Sequence, residues 1–130
     1  MTDICKILKE TKKIAVVGLS KNPSKTSRKI TDYLIENNYE VVGVNPTASD
    51  EIDGIKVYKN IKDIPGDIDI VDVFRRSEDI PEIMADVLEK NPKVLWLQLG
   101  IQNDEAVKPA EAKGITVIQN KCIFVEHNNC

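Results

Sequence analysis

The stretch Lys13-Ile14-Ala15-Val16-Val17-Gly18-Leu19-Ser20-Lys21-Asn22-Pro23 governs the reading of everything around it. Its first half is short and nearly continuously apolar, which suits a strand buried on both faces of a parallel sheet. Gly18-Leu19-Ser20 ends that strand. Asn22-Pro23-Ser24 then opens a helix that extends to about Asn38. Asn22 caps it with Pro23 in the first turn, or Ser24 caps one step later. Ile30, Tyr33 and Leu34 mark its inward face, and Asn37-Asn38 is a left-handed stop.

The same alternation recurs on both sides. Upstream, Met1 to Lys12 has Ile4, Ile7 and Leu8 at the spacing of a short amphipathic helix. Downstream, Tyr39 to Val44 is a second strand, closed by Asn45-Pro46. Asp50 to Pro65 holds turn residues around a short extended piece, Ile55-Lys56-Val57-Tyr58. Ile68 to Phe74 is a third strand, whose alternation carries Asp69 and Asp72 toward polar partners. Asp79, with Glu82 three residues on, starts the next helix, and Asn91-Pro92 stops it. Lys93 to Leu99 is a fourth strand, and Asn103 caps a helix containing Ala106, Val107 and Ala110. Gly114 ends that helix, and Ile115 to Ile118 is a fifth strand. The tail from Gln119 to Cys130 gives no clear element. Trp96, Tyr33 and Tyr39 read as packing residues.

Strands alternating with helices imply right-handed crossovers and a parallel sheet. The expected fold is therefore α/β, Rossmann-type and doubly wound, with a mainly parallel five-stranded sheet and helices on both faces. Its length, 130 residues, suits a single domain, 1–130.

In such a sheet the loops after all strands share one edge, where ligands bind. Those loops are Gly18-Leu19-Ser20-Lys21-Asn22, Asn45-Pro46-Thr47, Arg75-Arg76-Ser77, Gly100 with Gln102 and Asn103, and Asn120-Lys121-Cys122. Together they are polar, glycine-containing and locally basic, although the chain carries a formal net charge of −3. That combination points to a phosphate-bearing ligand. The helix after Gly18 offers free amides and a favourable dipole to an anion, and Lys21, Lys25 and Arg28 add charge. The plainer alternative is an ordinary β-α turn with solvated lysines. Arg75-Arg76 reads as a clamp for phosphate or carboxylate; the competing reading pairs it with Glu78, Asp79 or Asp72.

Composition excludes other classes. A net negative chain does not suit a general nucleic-acid coat. No apolar stretch marks a signal peptide or membrane span. Three cysteines, Cys5, Cys122 and Cys130, argue by odd count and wide spacing against a disulfide framework and for a reducing cytoplasm. Lys121 beside Cys122 favours thiolate, and His127 lies five residues on, but a buried or incidental thiol and a surface histidine account for both. Asp67, Asp69 and Asp72 lack the spacing of a metal site. We expect no catalytic residues and no metal.

The chain resembles the small stand-alone CoA-binding proteins, related in fold to the CoA-binding domain of the succinyl-CoA synthetase alpha subunit. The matching segments are Val16 to Pro23, Val44-Asn45-Pro46, Val71 to Ser77 with its Phe-Arg-Arg-Ser, Leu97-Gln98-Leu99-Gly100 and Lys121-Cys122. The resemblance implies coenzyme A as ligand, or an acyl-CoA. It puts the diphosphate near Gly18, Leu19, Ser20, Lys21 and Asn22, and the adenosine end near Asn45, Pro46, Phe74, Arg75 and Arg76. The pantetheine arm then runs past Leu99 and Gly100 toward Lys121 and Cys122. The resemblance supplies a ligand but no reaction, so a non-catalytic carrier or sensor is the leading expectation. Departures are Lys25-Thr26-Ser27, where the family often has Arg-Pro-Ser, and the apolar Ile123-Phe124-Val125 after Cys122.

The alternative is an NAD(P)-binding domain acting as an oxidoreductase or redox sensor. The incomplete glycine fingerprint, and Asn45 where a carboxylate usually holds an NAD ribose, speak against it. A third reading is an interaction module that binds no nucleotide.

Overall fold

Strand β1 (Lys13–Val17) lies at the centre, flanked by β2 (Glu40–Val44) and β5 (Ile70–Val73), both parallel to it. The computed structural model describes residues 2–130. The sheet has seven strands in the order β3-β4-β2-β1-β5-β6-β7, with β6 spanning Val94–Leu97 and β7 Thr116–Ile118. It is a Rossmann-like α/β fold, and the five expected strands are present within it. The other two are a correction. Glu51–Ile52 (β3) and Ile55–Tyr58 (β4) form an antiparallel hairpin around Asp53-Gly54, both at positive φ (47° and 86°). Asp-Gly is the residue pair that a two-residue hairpin turn requires. β4 then joins the sheet parallel to β2.

Alternate residues of the central strands face opposite layers. Ala15, Val17, Val71, Val73, Leu95 and Leu97 pack under α3 (Ile80–Lys90) and α4 (Lys108–Ala112), against Ile83, Met84, Val87 and Ala110. Ile14, Val16, Ile70, Val94 and Trp96 pack under α1 (Ile4–Glu10), α2 (Thr26–Glu36) and α5 (Ile123–Asn128), against Leu8, Ile30, Leu34 and Ile123. The continuous apolar runs in the sequence follow from this burial on both sides.

Several boundaries differ from expectation. α1 is capped by Asp3, whose side chain accepts from the Lys6 amide at 3.1 Å, so the helix is shorter than 1–12; Met1 lies outside the described residues. α2 begins after Lys25, because Asn22 and Ser24 close local turns instead of capping it. Asp79 does precede α3, but its carboxylate meets Arg75 and Arg76 and makes no cap hydrogen bond. Asn38, Asn91 and Gly114 stop their helices at positive φ, as read. The unassigned tail contains α5, too short at 6 residues to show a helical period.

The expectation against disulfides fails for one pair. α1 packs beside α5, which brings Cys5 and Cys130 into a disulfide with Cα atoms 5.6 Å apart and leaves Cys122 free. A 125-residue separation hides that proximity in the sequence. The two aspartates of the third strand also part company. Asp69 finds the polar partners expected of it: its carboxylate accepts from the Lys12 and Lys13 amides at 2.9 and 3.0 Å. Asp72 does not. It is fully buried in β5, and neither carboxylate oxygen has a hydrogen-bond partner. Burial pushes its carboxyl well above the ordinary range.

Candidate functional site

Because β1, β2, β4, β5, β6 and β7 run parallel, the loops at their carboxyl ends share one edge. Gly18 stands at its centre with φ +91°, and a Cβ there would lie 2.8 Å from the Phe74 carbonyl oxygen. Only glycine lets β1 turn so close to the loop after β5. Leu19 is fully buried over Gly43, whose missing side chain makes the room, since a Cβ would lie 2.5 Å from Leu19 Cδ2.

The loop that follows is held from three sides. Its Ser20 amide donates to Ser27 Oγ at 3.1 Å. Asn45 Nδ2 donates to the Leu19 carbonyl at 3.0 Å, while Asn45 Oδ1 accepts from the Thr47 amide at 3.0 Å. Arg28 donates to the Ser20 and Lys21 carbonyls and pairs with Asp53 at 2.7 Å. The Arg28 guanidinium is buried, so it braces the loop from behind rather than presenting charge to its open side.

Two clefts open on this edge. One, of about 470 Å3, is bounded by Gly18, Asn45, Pro46, Lys59, Asn60, Arg75, Glu82 and Asp86. The other, of about 720 Å3, is bounded by Phe74, Arg75, Arg76, Gln98, Leu99, Gly100 and Cys122. Arg75 belongs to both and is their common wall. Leu99 is 69% exposed, an apolar side chain left uncovered beside the half-buried Cys122.

Most of the residues singled out from sequence meet here. Gly18, Asn45, Pro46 and Arg75 bound the first cleft; Phe74, Arg75, Arg76, Leu99, Gly100 and Cys122 bound the second. Ser20, Lys21, Asn22 and Lys25 form the loop at α2 without bounding either cleft. Lys121 bounds neither, and its carbonyl accepts the Trp96 indole N–H at 2.8 Å. Both arginines have acidic neighbours: Arg75 pairs with Glu82 at 3.2 Å and Asp79 at 3.6 Å, and Arg76 with Asp79 at 3.2 Å and Glu78 at 3.5 Å. Asp72, considered as a partner for them, is buried away from both.

Lys59 and Asn60 escape the sequence reading because Ile55 to Tyr58 stands there only as a short extended piece among turn residues, not as a strand of the sheet. As a parallel strand its end lies on the same edge as the others. Glu82 and Asp86 lie one turn apart on α3, a spacing that puts them on one helix face. Ser77 and Gln98 belong to the Phe-Arg-Arg-Ser and Leu-Gln-Leu-Gly segments and Thr26 to the Lys25-Thr26-Ser27 departure, but the sequence reading gives none of them a site role; all three bound the second cleft.

His127 is not paired with Cys122. Its Nδ1 lies 2.5 Å from the Tyr33 hydroxyl, and it borders a different cavity with Cys5, Tyr39 and Cys130. Among the described residues no cluster of three or more His, Cys, Asp or Glu side chains is placed to hold a metal ion, and no helix is long and apolar enough to cross a membrane.

Residues 12–128 match the family model described as a CoA binding domain. An uncharacterized protein of Bacillus subtilis, YneT, is 45% identical over 125 residues, covering 96% of this chain and 92% of that one. The structure of a hypothetical protein from Pyrococcus horikoshii superposes with a TM-score of 0.93 at 37% identity, covering 99% of this chain and 92% of that one. The alpha subunit of an ADP-forming acetate–CoA ligase from Pyrococcus furiosus is 27% identical over 123 residues, 86% of this chain but only 27% of the ligase subunit.

Proposed function

This chain belongs to the CoA-binding domain family, and from that premise we propose that residues 1–130 act as one unit that binds coenzyme A or an acyl-CoA, as a carrier or sensor in the cytoplasm. One observation supports the reading above others: Arg75 is the common wall of two adjoining clefts, each of mixed lining, the second the more apolar of the two through Phe74, Leu99 and Ile101. Two joined clefts suit CoA, a charged nucleotide joined to a long, thin and less polar arm.

In this reading the diphosphate lies against Gly18 and the braced loop through Asn22, near the start of α2. The adenosine end occupies the cleft at Asn45 and Pro46, where Lys59 supplies a cation for the ribose phosphate and Glu82 and Asp86 face the hydroxyl and amino groups. The pantetheine arm follows Phe74, Leu99 and Gly100 and brings its thiol toward Cys122. Arg75 exchanges its exposed partner Glu82 for phosphate, an exchange that costs little because such a pair is weak in water, and keeps Asp79 beside it. Bound CoA supplies a thiol able to carry an acyl group; the chain supplies position and shelter.

Titration calorimetry with CoA, dephospho-CoA and NAD tests this. CoA is expected to bind and NAD not. Arg75→Ala is expected to weaken CoA by about ten- to a hundredfold, the worth of one hydrogen bond to a charged group. Arg76→Ala, at a highly exposed position, is expected to cost less. Binding of NAD in preference to CoA overturns the proposal.

A further inference from the structure

Away from the carboxyl edge, a cavity of about 450 Å3 lies where α1 meets α5, walled by Leu8, Lys9, Tyr39, His127 and the Cys5–Cys130 disulfide. Its size falls among clefts that take small molecules, roughly 300–1,000 Å3. Both cysteines are exposed to solvent, so an attacking thiol has access. The polar walls are held in place: the Tyr39 hydroxyl donates to the Leu8 carbonyl at 2.6 Å, and His127 Nδ1 sits against the Tyr33 hydroxyl. Among the described residues that line it, Lys9 has the one permanently charged side chain.

We propose that this cavity is a thiol-exchange site, where a low-molecular-weight thiol bearing negative charge opens the Cys5–Cys130 bridge and is held as a mixed disulfide on Cys5. The thiolate attacks Cys5 Sγ. A bond forms between the two sulfurs, the Cys5–Cys130 bond breaks, and the electron pair leaves on Cys130 Sγ, which takes a proton from water. The resulting Cys130 thiol has an acceptor ready, the Glu126 carbonyl oxygen 3.1 Å from Sγ. A second thiol then attacks the mixed disulfide and frees Cys5. Two small thiols are thereby oxidised to their disulfide, and the bridge is reduced by two electrons. Opening removes the covalent tie between α1 and α5. Of the side chains in the 6-residue α5, only Ile123 is buried, so the helix then rests on that residue and on the edge contacts of Phe124 and His127 with Tyr33 and Tyr39.

The test uses the full chain, oxidised and then exposed to glutathione, CoA or 2-mercaptoethanol at equal thiolate concentration, with adducts mapped by peptide mass. Oxidised protein is expected to offer one alkylatable thiol, Cys122, and the first adduct to appear on Cys5. The two anionic thiols are expected to open the bridge about threefold faster than the neutral one, the worth of one exposed charge pair, and Lys9→Gln to erase that preference. Faster opening by glutathione assigns the site to carboxylate-bearing thiols; faster opening by CoA assigns it to phosphate-bearing ones. Amides 123–129 are expected to exchange hydrogen about tenfold faster once the bridge is open. Three alkylatable thiols after oxidation, equal rates for all three thiols, or adducts confined to Cys122 would overturn the proposal.

Discussion

The two edges of the sheet are finished in opposite ways. At the amino ends of the strands, the Asp69 carboxylate gathers the Lys12 and Lys13 amides and the Lys93 ammonium, the last at 3.3 Å. The Lys13 ammonium reaches Glu40 and the Pro65 carbonyl, and the hollow beside Asp69 and Lys93 is small, about 170 Å3. Burial alone would push Asp69 up; the amides of Lys13 and Lys12, with Lys93, outweigh it and hold the carboxyl below its ordinary value. At the carboxyl ends the polar groups brace loops from behind, and charged side chains of both signs and apolar surface face outward around two larger clefts. One edge closes the fold and the other leaves two clefts open, the place we propose for the ligand, although both are built from the same strands.

Substitutions on each edge test that division, and the largest effect is expected at Gly18. Gly18→Ala places a methyl group against the Phe74 carbonyl at a φ that side chains rarely adopt. We expect a loss of about 3–4 kcal/mol in urea unfolding, together with loss of CoA binding. Normal stability and binding in that variant would break the comparison at its centre. Asp69→Ala should separate the edges, costing about 2–3 kcal/mol of stability while calorimetry finds CoA affinity unchanged. The folded-state pKa of Asp69 is lowered, so its contribution is complete above the ordinary carboxylate value near 4 and fades as pH falls through the folded value. The gap between wild type and variant should therefore narrow in acid. The smallest effect concerns Asp72, which faces neither edge. Its folded pKa is raised, so the native state holds a proton that the unfolded chain releases, and stability falls as pH rises from about 4 toward the folded value. Asp72→Asn removes that slope, so in urea unfolding its stability relative to wild type should rise as pH is raised from about 4 toward 8.

The parts of this arrangement that sequence made legible are those with local causes. A continuous apolar run marked β1, where burial on both faces leaves no polar alternation; short apolar stretches between helix and turn signals marked β2, β6 and β7, and an alternating one through Asp69 and Asp72 marked β5. Their loops could then be assigned to one edge from topology alone, which brought Gly18, Asn45, Arg75, Gly100 and Cys122 to the correct end of the sheet. What escaped depended on distance or brevity. Asp53-Gly54 is a local hairpin signal, but the strands it joins are two and four residues long, too short to show alternation. Arg28 reads as a free cation until Asp53, 25 residues away, is brought against it. Asp72 looks like a surface acid in a strand that alternates. Only the packing of α1, α2 and α5 over that face makes it a buried one.

The Cys5–Cys130 bond also makes residues 5 to 130 a closed covalent ring. In a chain-entropy account, closing so long a loop removes about 5 kcal/mol of freedom from the unfolded ensemble. A ring also tolerates a cut. A protease nicking the backbone at the exposed Gly66, where φ is +76°, would leave a single covalent molecule, two chains with new ends at the break and still joined through Cys5 and Cys130. The fragments would separate only after that bond was opened, so in an oxidised sample intact mass would find one molecule heavier by a water, where reduction would find two chains.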